Sequence, residues 1–266
     1  MATKGREMTS TAETSAALAR VVAPKAELTV RDLLDRMQPE IEKAAPRAIG
    51  AERFTRLVLT ELRRNPVLFD CKPESVIGAM MLCAQLGLEP GPLGHAYLVP
   101  YKEHGVQVCQ FVVGYKGYIE LGYRSGRLGS IRLATVWEGD EFIYEEREGG
   151  PYLRHRECAP VDRGREVCYY SRATIVGGKP HVKRLWPEEI EAARKRSPLG
   201  KLNRGPWHTD YETMAWKTCL RRQAPVLPQS VHFARALEAD ERPVVALDAE
   251  GTVTLEDAQA DGERGA

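Results

Sequence analysis

The sequence lacks the features that mark several protein classes. No apolar run approaches the roughly 20 residues that a membrane-spanning helix needs, and residues 1–20 contain no apolar core typical of a secretion signal. The six cysteines are widely spaced and include no Cys-x-x-Cys pair, so neither a zinc ribbon nor a disulfide framework is predicted. We therefore expect reduced, mostly buried thiols in a cytoplasmic protein that has no membrane partner.

The usual signatures of catalysis are also missing. The nearest candidate for a phosphate-binding loop, Gly177-Gly178-Lys179, is followed by Pro180 instead of Ser or Thr, and no G-x-G-x-x-G pattern occurs. The six histidines show no paired spacing of metal ligands, and no serine lies in a nucleophile elbow. The sequence thus predicts no catalytic residue, no metal and no cofactor.

One acidic run leaves an enzymatic alternative open. Asp140, Glu141 and Glu145 could in principle ligate Mg²⁺ in a nuclease that acts on DNA. Such a site needs carboxylates that converge from several elements, and one charge-rich hairpin is more typical of a solvated strand end.

Charge is distributed unevenly along the chain. The formal net charge of the 266 residues is +1, but residues 237–266 hold nine acidic and two basic side chains. The tail therefore carries −7 and the preceding 236 residues carry +8. A basic body suggests a polyanionic partner, and an acidic tail suggests a separate solvated or docking segment.

The order of helix and strand patterns predicts an α+β fold. We expect a flexible arm over residues 1–27, a core over 28–238 and an acidic, disordered tail over 239–266. Within the core, helical patterns come first, β-rich runs follow from residue 95 to 185, and helices return after Pro187. This order favours a central, mostly antiparallel sheet with one short inserted helix at Tyr115–Ser125.

The inserted helix belongs to the first of two stretches that combine basic and aromatic residues. If the helix continued, Lys116, Glu120, Tyr123 and Arg127 would share one face. The glycines of residues 114–126 permit close backbone approach, either to a packed neighbour or to a phosphate. Tyrosine rings can stack on bases while Lys and Arg contact phosphates; the alternative is a helix packed on the sheet, with Lys116 paired to Glu120.

The second stretch, residues 194–222, carries eight basic and two acidic side chains. Arg194–Arg196 end a helix that Glu188 and Glu189 begin, which is ordinary complementarity to the helix dipole. That explanation does not cover Lys201, Arg204, Arg221 and Arg222. A basic loop that contains Trp207, lying between two basic helices, is a reasonable groove for single-stranded nucleic acid.

These stretches resemble the RecT family of phage-type single-strand annealing proteins. The resemblance covers roughly residues 28–240, and the joint order of its motifs makes it specific. The motifs are Asn65-Pro66, Cys71-Lys-Pro-Glu-Ser75, Gly78-Ala-Met-Met81, Ala84-Gln-Leu-Gly-Leu-Glu-Pro90, Leu93-Gly-His-Ala-Tyr-Leu-Val-Pro-Tyr-Lys102, Gly114-Tyr-Lys-Gly-Tyr118, Glu188-Glu-Ile190, Gly205-Pro-Trp207, Thr209-Asp-Tyr211 and Met214-Ala-Trp-Lys-Thr218.

The resemblance implies an α+β core that forms rings or helical filaments on DNA. It implies ATP-independent annealing of complementary strands into duplex DNA during recombination, beside a partner exonuclease, and a tail that contacts host partners such as a single-strand binding protein. On the matching positions it places Lys102, Lys116, Arg124, Lys217 and Arg221 in a DNA groove.

The two basic–aromatic stretches and the resemblance together predict one set of DNA-binding residues. We expect annealing without bond chemistry; the alternatives are the Mg²⁺-dependent nuclease and a scaffold that oligomerises without DNA. The predicted DNA-binding residues are Lys102, Tyr115, Lys116, Arg124, Arg127, Arg196, Lys201, Arg204, Trp207, Lys217, Arg221 and Arg222.

Overall fold

The structure is a computed structural model, and it describes residues 29–45, 50–103, 105–197, 200, 205–228, 230–240, 242 and 244–255. The predicted flexible arm, residues 1–27, lies outside the described residues. So do the last eleven residues of the predicted acidic tail, 256–266.

The N-terminal part consists of three helices that begin and end where the local chemistry predicts. Helix α1 (Val30–Ala44) starts with a capping box, in which the Thr29 side chain accepts a bond from the Asp32 amide and the Asp32 carboxylate accepts one from the Thr29 amide. Helix α2 spans Ala51–Arg64, and a 3₁₀ turn follows over Pro66–Asp70. Helix α3 (Pro73–Leu86) has proline in its first turn and ends at Gly87, whose φ of +64° suits glycine.

The middle of the chain is β-rich, and all of its strand pairs are antiparallel. Strands β1 (Ala96–Glu103) and β2 (Val106–Val113) form one hairpin, and helix α4 (Tyr115–Arg124) is the predicted inserted helix. Strands β3 (Leu128–Trp137), β6 (Glu166–Ile175) and β7 (His181–Leu185) form a three-stranded sheet, with β6 in the centre. Strands β4 (Glu141–Arg147) and β5 (Gly150–Arg156) form a separate hairpin. The predicted antiparallel pairing and inserted helix are confirmed, and the strands of this region divide among separate sheets.

Helices return after the sheet, which confirms the α+β fold class. They are α5 (Pro187–Arg196), the four-residue α6 (Pro206–Thr209), α7 (Tyr211–Gln223) and α8 (Val231–Ala239). Helix α7 packs on β6, β7 and β3, and it also contacts α4. Helix α7 thereby joins the sheet to the inserted helix.

Helix α3 is the centre of the main core. Helix α1, the β1–β2 hairpin and α8 all pack around it. Met80 and Met81 are fully buried, as their sequence context predicts for core filling. Because burial extends over nearly every position of α3, this helix has no solvent face along which a ligand could bind.

The acidic tail departs from the prediction of disorder. Strands β8 (Val244–Leu247) and β9 (Val253–Leu255) pair as a hairpin that packs on α3. Val244 lies so close to Gly78 that a Cβ added to this glycine would be 2.5 Å from Cγ1 of Val244. The acidic composition of the tail obscured these few apolar residues, which gain enough burial against α3 to order residues 244–255.

All six cysteines have free thiols in the structure, and five of them are buried. Burial raises the pKa of the Cys71 thiol and that of the Cys168 thiol to about 11 each. Within the described residues, no helix has the length and apolar character to cross a membrane.

Candidate nucleic-acid interface

Four side chains from three elements meet where β1, α4 and α7 converge, and we name them the aromatic–lysine cluster: Tyr97, Tyr115, Lys116 and Trp216. The Tyr115 and Trp216 rings lie edge to face, with centroids 6.1 Å apart. A Cβ added to Gly94 would lie 2.9 Å from Oη of Tyr97 and 3.6 Å from Cδ of Lys116, so these two side chains flank one spot. Tyr97 is 45% exposed and Lys116 is exposed as well.

The pKa of Tyr97 reflects the groups that surround its hydroxyl. Burial raises the pKa of Tyr97, the neighbouring Tyr115 and Asp210 raise it further, and Lys217 lowers it. Tyr97 thus lies beside residues of both α4 and α7, although it belongs to β1. The cluster offers three aromatic rings that are at least partly exposed and one exposed ammonium group, the groups that stack on bases and contact phosphates.

The glycines at the start of α4 serve packing. A Cβ on Gly114 would lie 2.0 Å from the Gly94 carbonyl oxygen, and one on Gly117 would lie 2.1 Å from that of His95. The Gly114 amide donates to the His95 carbonyl at 3.0 Å. Of the two readings that the sequence left open for these glycines, close approach to a packed backbone is the one the structure supports, and it fixes Tyr115 and Lys116 against β1.

Lys217 lies in the interior, contrary to the predicted phosphate contact. Its side chain is 4% exposed, and its ammonium nitrogen lies 3.1 Å from an oxygen of Asp240. The same carboxylate accepts bonds from the Val113 amide and the Tyr118 hydroxyl, both at 2.7 Å. Arg221, which is one-third exposed, lies 3.3 Å from it. The i, i+4 spacing correctly placed Lys217 and Arg221 on one face of α7, but that face packs inward.

Trp207 is also buried, so it offers no stacking surface in this conformation. It is 5% exposed and packs beside Tyr211, with ring centroids 5.9 Å apart. Its neighbours are apolar side chains of α5, α7 and the sheet. The apolar area of an indole ring outweighs the basic loop around it in deciding its position.

Arg124 stabilises the end of a helix. Its guanidinium donates to the carbonyl oxygens of Leu86 and Gly87, at 3.0 and 2.7 Å, where α3 leaves its last carbonyls unpaired. It also pairs with Glu120 at 2.8 Å, so Glu120 bonds Arg124 instead of Lys116. Because α4 ends at Arg124 and Gly126 takes a φ of +68°, Arg127 does not continue the predicted helical face.

The remaining predicted residues do not converge on the cluster in the described part of the chain. Lys102 is exposed on β1 opposite Gln107, five residues beyond Tyr97, which is about 17 Å along a strand. Arg196 is exposed at the end of α5, and Arg222 lies 3.4 Å from Glu189. Lys201 and Arg204 lie outside the described residues.

The structure therefore joins Tyr115 and Lys116 to the α7 region and adds residues that sequence reasoning missed. Tyr97 lies within the motif at residues 93–102, and the alternation of a strand could have indicated its exposure. Trp216 sits next to Lys217, and its indole nitrogen donates to the Thr135 hydroxyl at 3.1 Å, which fixes the ring. No local sequence pattern marked Asp240, since it lies 23 residues from its partner Lys217.

The three carboxylates of the nuclease alternative do not converge. Glu141 lies 3.1 Å from Arg154, and Glu145 lies 2.6 Å from Arg147. Asp140 accepts bonds from the amides of Trp137 and Cys158, at 2.8 and 2.9 Å, and it lies 2.9 Å from Nε2 of His155. Among the described residues, no three His, Cys, Asp or Glu side chains form a group that could hold a metal ion. No specific observation favours a nuclease.

Comparison with known proteins gives consistent matches. The sequence model of the RecT family matches residues 52–254. Protein RecT of Escherichia coli (strain K12) is 38% identical over 221 residues, which cover 80% of this chain and 79% of that protein. An uncharacterized protein of Bacillus subtilis (strain 168), YqaK, is 28% identical over 208 residues, which cover 73% of this chain and 65% of that protein.

Proposed function

Because the chain belongs to the RecT family, we propose that it binds single-stranded DNA and anneals complementary strands during recombination. The proposal includes binding without sequence preference, annealing without ATP or another cofactor, and no bond chemistry. It also includes assembly with further copies of the chain, into rings or helical filaments, and action beside an exonuclease and a host single-strand binding protein in the cytoplasm.

The observation that carries this proposal is the aromatic–lysine cluster. Three at least partly exposed rings beside an exposed ammonium group suit a strand whose phosphates and some of whose bases contact protein. Ring stacking and an ammonium–phosphate contact do not distinguish one base from another, so the cluster favours sequence-independent binding. The family match and the +8 charge of residues 1–236 support the same reading.

Annealing requires two polyanions to approach, and their repulsion is the obstacle. Lys116 and further exposed Lys and Arg side chains neutralise phosphates and release counterions, which lowers this repulsion. The bases of the bound strand must stay open for pairing, so sparse stacking on a few rings is more useful than full enclosure. The chain contains no Gly-rich loop followed by Lys and Ser or Thr, in keeping with a process driven by base pairing alone.

Lys217 and Arg221 have a supporting role in this proposal. Their shared partner Asp240 also bonds Val113, the last residue of β2, and Tyr118, within the second turn of α4. The buried ion pairs therefore hold α7 against the segment that carries Tyr115 and Lys116.

A salt titration tests the proposal. We expect the logarithm of the binding constant for single-stranded DNA to fall linearly with the logarithm of salt concentration, and complementary oligonucleotides to anneal without nucleotide. Lys116→Gln should weaken binding of every sequence by about tenfold and reduce the salt slope by about 0.7. Lys43→Gln, at an exposed lysine of α1, is the matched control.

Two outcomes would contradict this proposal. Binding that does not depend on salt would exclude a phosphate-contacting surface. Equal affinities of the Lys116→Gln variant and the Lys43→Gln control would remove the cluster from the DNA-binding surface.

A further inference from the structure

The three-stranded sheet β3–β6–β7 has a second face, opposite the helices. Side chains alternate between the two faces of a strand, and the strand register decides which of them are neighbours. Tyr169, Ser171 and Ala173 of β6 point toward the helices, and Ser171 donates to the Gln223 side chain of α7 at 2.6 Å. Tyr170 and Arg172 therefore point to the other face.

The β4–β5 hairpin covers only half of this second face. Phe142 of β4 stacks on Tyr170, with ring centroids 5.8 Å apart, and His155 of β5 lies 3.1 Å from the Tyr170 hydroxyl. Strands β6 and β3 continue beyond the hairpin, from Tyr170 toward Thr174 on β6 and from Ala134 toward Ser130 on β3. The uncovered half carries Ser130 and Arg132 on β3 and Arg172 and Thr174 on β6. Arg184 of β7 lies opposite Tyr170, at the border with the hairpin, and we name these five residues the arginine face.

Two arginines of this face stand directly opposite each other. The register pairs Arg132 with Arg172 across neighbouring antiparallel strands, which brings their Cβ atoms to about 5 Å. Like charges at such a pair destabilise a sheet. Among the described residues, the one carboxylate that pairs with either is that of Glu157, 3.1 Å from Arg132, and both of these side chains are more than half exposed. Since an exposed ion pair is worth little, a phosphate can replace Glu157 at small cost.

A third arginine continues the face and adds an aromatic surface. The Arg184 guanidinium lies between two rings, 4.9 Å from the Tyr144 centroid and 4.5 Å from the Trp186 centroid. Within the described residues no carboxylate lies at ion-pair distance from Arg172 or Arg184. Trp186 is 44% exposed, so part of its ring is open to a stacking partner. The face thus combines cations in excess of acids with an exposed ring.

We propose that the arginine face binds the sugar–phosphate backbone of a second nucleic-acid strand, separate from the strand held at the aromatic–lysine cluster. This proposal rests on the proposed annealing function. Trp216 of the cluster bonds Thr135, whose side chain lies on the helix side of β3, so the two surfaces belong to opposite faces of the sheet. Arg132 and Arg172 lie opposite each other on neighbouring strands, so they can contact successive phosphates without reading bases.

The separation of the two surfaces has a mechanistic consequence. One protomer can retain its first strand while the arginine face gathers an incoming strand and raises its local concentration. Pairing then begins between strands that are already neutralised. In an assembly of several copies, the arginine face of one copy can serve the strand held by the next.

The experiment separates binding of the first strand from capture of the second. Protein is first saturated with a fluorescent single strand, and capture of a second labelled, non-complementary strand is then measured over a salt series. We expect Arg132→Gln/Arg172→Gln to leave the affinity for the first strand within twofold. Capture of the second strand should fall at least tenfold, and its salt slope should decrease by about 1.4.

Arg154→Gln/Arg156→Gln is the matched control, since both arginines are exposed on β5. Melting temperature and mass by light scattering are recorded for each variant. Unchanged capture in the Arg132/Arg172 variant, or equal losses for both strands, overturns the proposal. A change in assembly mass that accounts for the whole loss also overturns it, because the face would then bind another copy of the chain. If the wild-type protein binds no first strand, the proposed function itself fails.

Discussion

Asp140 and Asp240 are both buried carboxylates, yet their surroundings differ in kind. The side chains are 1% and 0% exposed, respectively. Asp140 is held by backbone amides and a histidine, so it anchors a hairpin with little net charge. Asp240 lies between two basic side chains, Lys217 and Arg221, and also bonds β2 and α4. Local hydrogen bonds suffice to anchor one hairpin, whereas the junction that carries Tyr115 and Lys116 depends on buried charge.

Asp240→Asn should have the largest effect on stability. It removes the charge that compensates Lys217 and Arg221 in the interior, and removing one partner of a buried ion pair destabilises a fold by about 3–5 kcal/mol. The free energy of unfolding in urea measures this. Affinity for single-stranded DNA should fall as well, because α4 loses its fixed position against α7. Glu238→Gln, an exposed position of α8, is the control; equal stability of both variants would contradict the role of Asp240.

Asp140→Asn should have a smaller and more local effect. An amide oxygen can still accept one of the backbone bonds, so we expect a loss of about 1–3 kcal/mol in the free energy of unfolding. Hydrogen exchange should accelerate in β4 and β5, while binding of the first DNA strand should be unchanged. Faster exchange that extends into α4 or α7 would show that the two carboxylates are not independent.

The same variant tests the acid limb of the stability curve. Although burial alone would raise the pKa of Asp140, the Cys158 and Trp137 amides and His155 hold that pKa well below its usual range. A carboxyl with a depressed folded-state pKa stabilises the fold above its unfolded pKa of about 4, and this contribution is lost as the pH falls further. Asp140→Asn should therefore make the loss of stability below pH 4 shallower than in the wild type.

Lys217→Met should have the smallest effect. It leaves Arg221 paired with Asp240 and replaces the lysine by an apolar side chain of similar length, a change that is often near neutral when the remaining charges balance. We expect the free energy of unfolding to change by less than about 1.5 kcal/mol. DNA affinity should remain within twofold, since the ammonium group is buried; a tenfold loss would restore Lys217 as a direct phosphate contact.

The sequence predicts local features of this molecule well. The capping box at Thr29, the left-handed Gly87 and the helix inserted near Tyr115 all follow from residues within one turn of each other. Tyr115 and Lys116 were predicted as binding residues, and they lie on the exposed cluster. Such features depend on neighbours in the chain, which the sequence displays directly.

Features set by long-range packing could not be predicted in the same way. The spacing of Lys217 and Arg221 shows a shared face but not that Asp240 lies against it. Arg132 and Arg172 are 40 positions apart, and only the strand register makes them opposite. Composition was misleading at the tail, where a few apolar residues outweigh many acids once α3 provides a surface for them.

The hairpin β8–β9 also bears on how the protein is made. It closes the last side of α3, and Gln85 of that helix donates to the carbonyl of Gly251, 166 positions later. The apolar surface of this helix is thus sealed only after the residues 166 positions further along the chain have been made, and contacts of such long separation form slowly. During this interval the nascent chain displays Gly78 and Met81 to its surroundings, which makes it a natural client for chaperones that shield exposed hydrophobic surface.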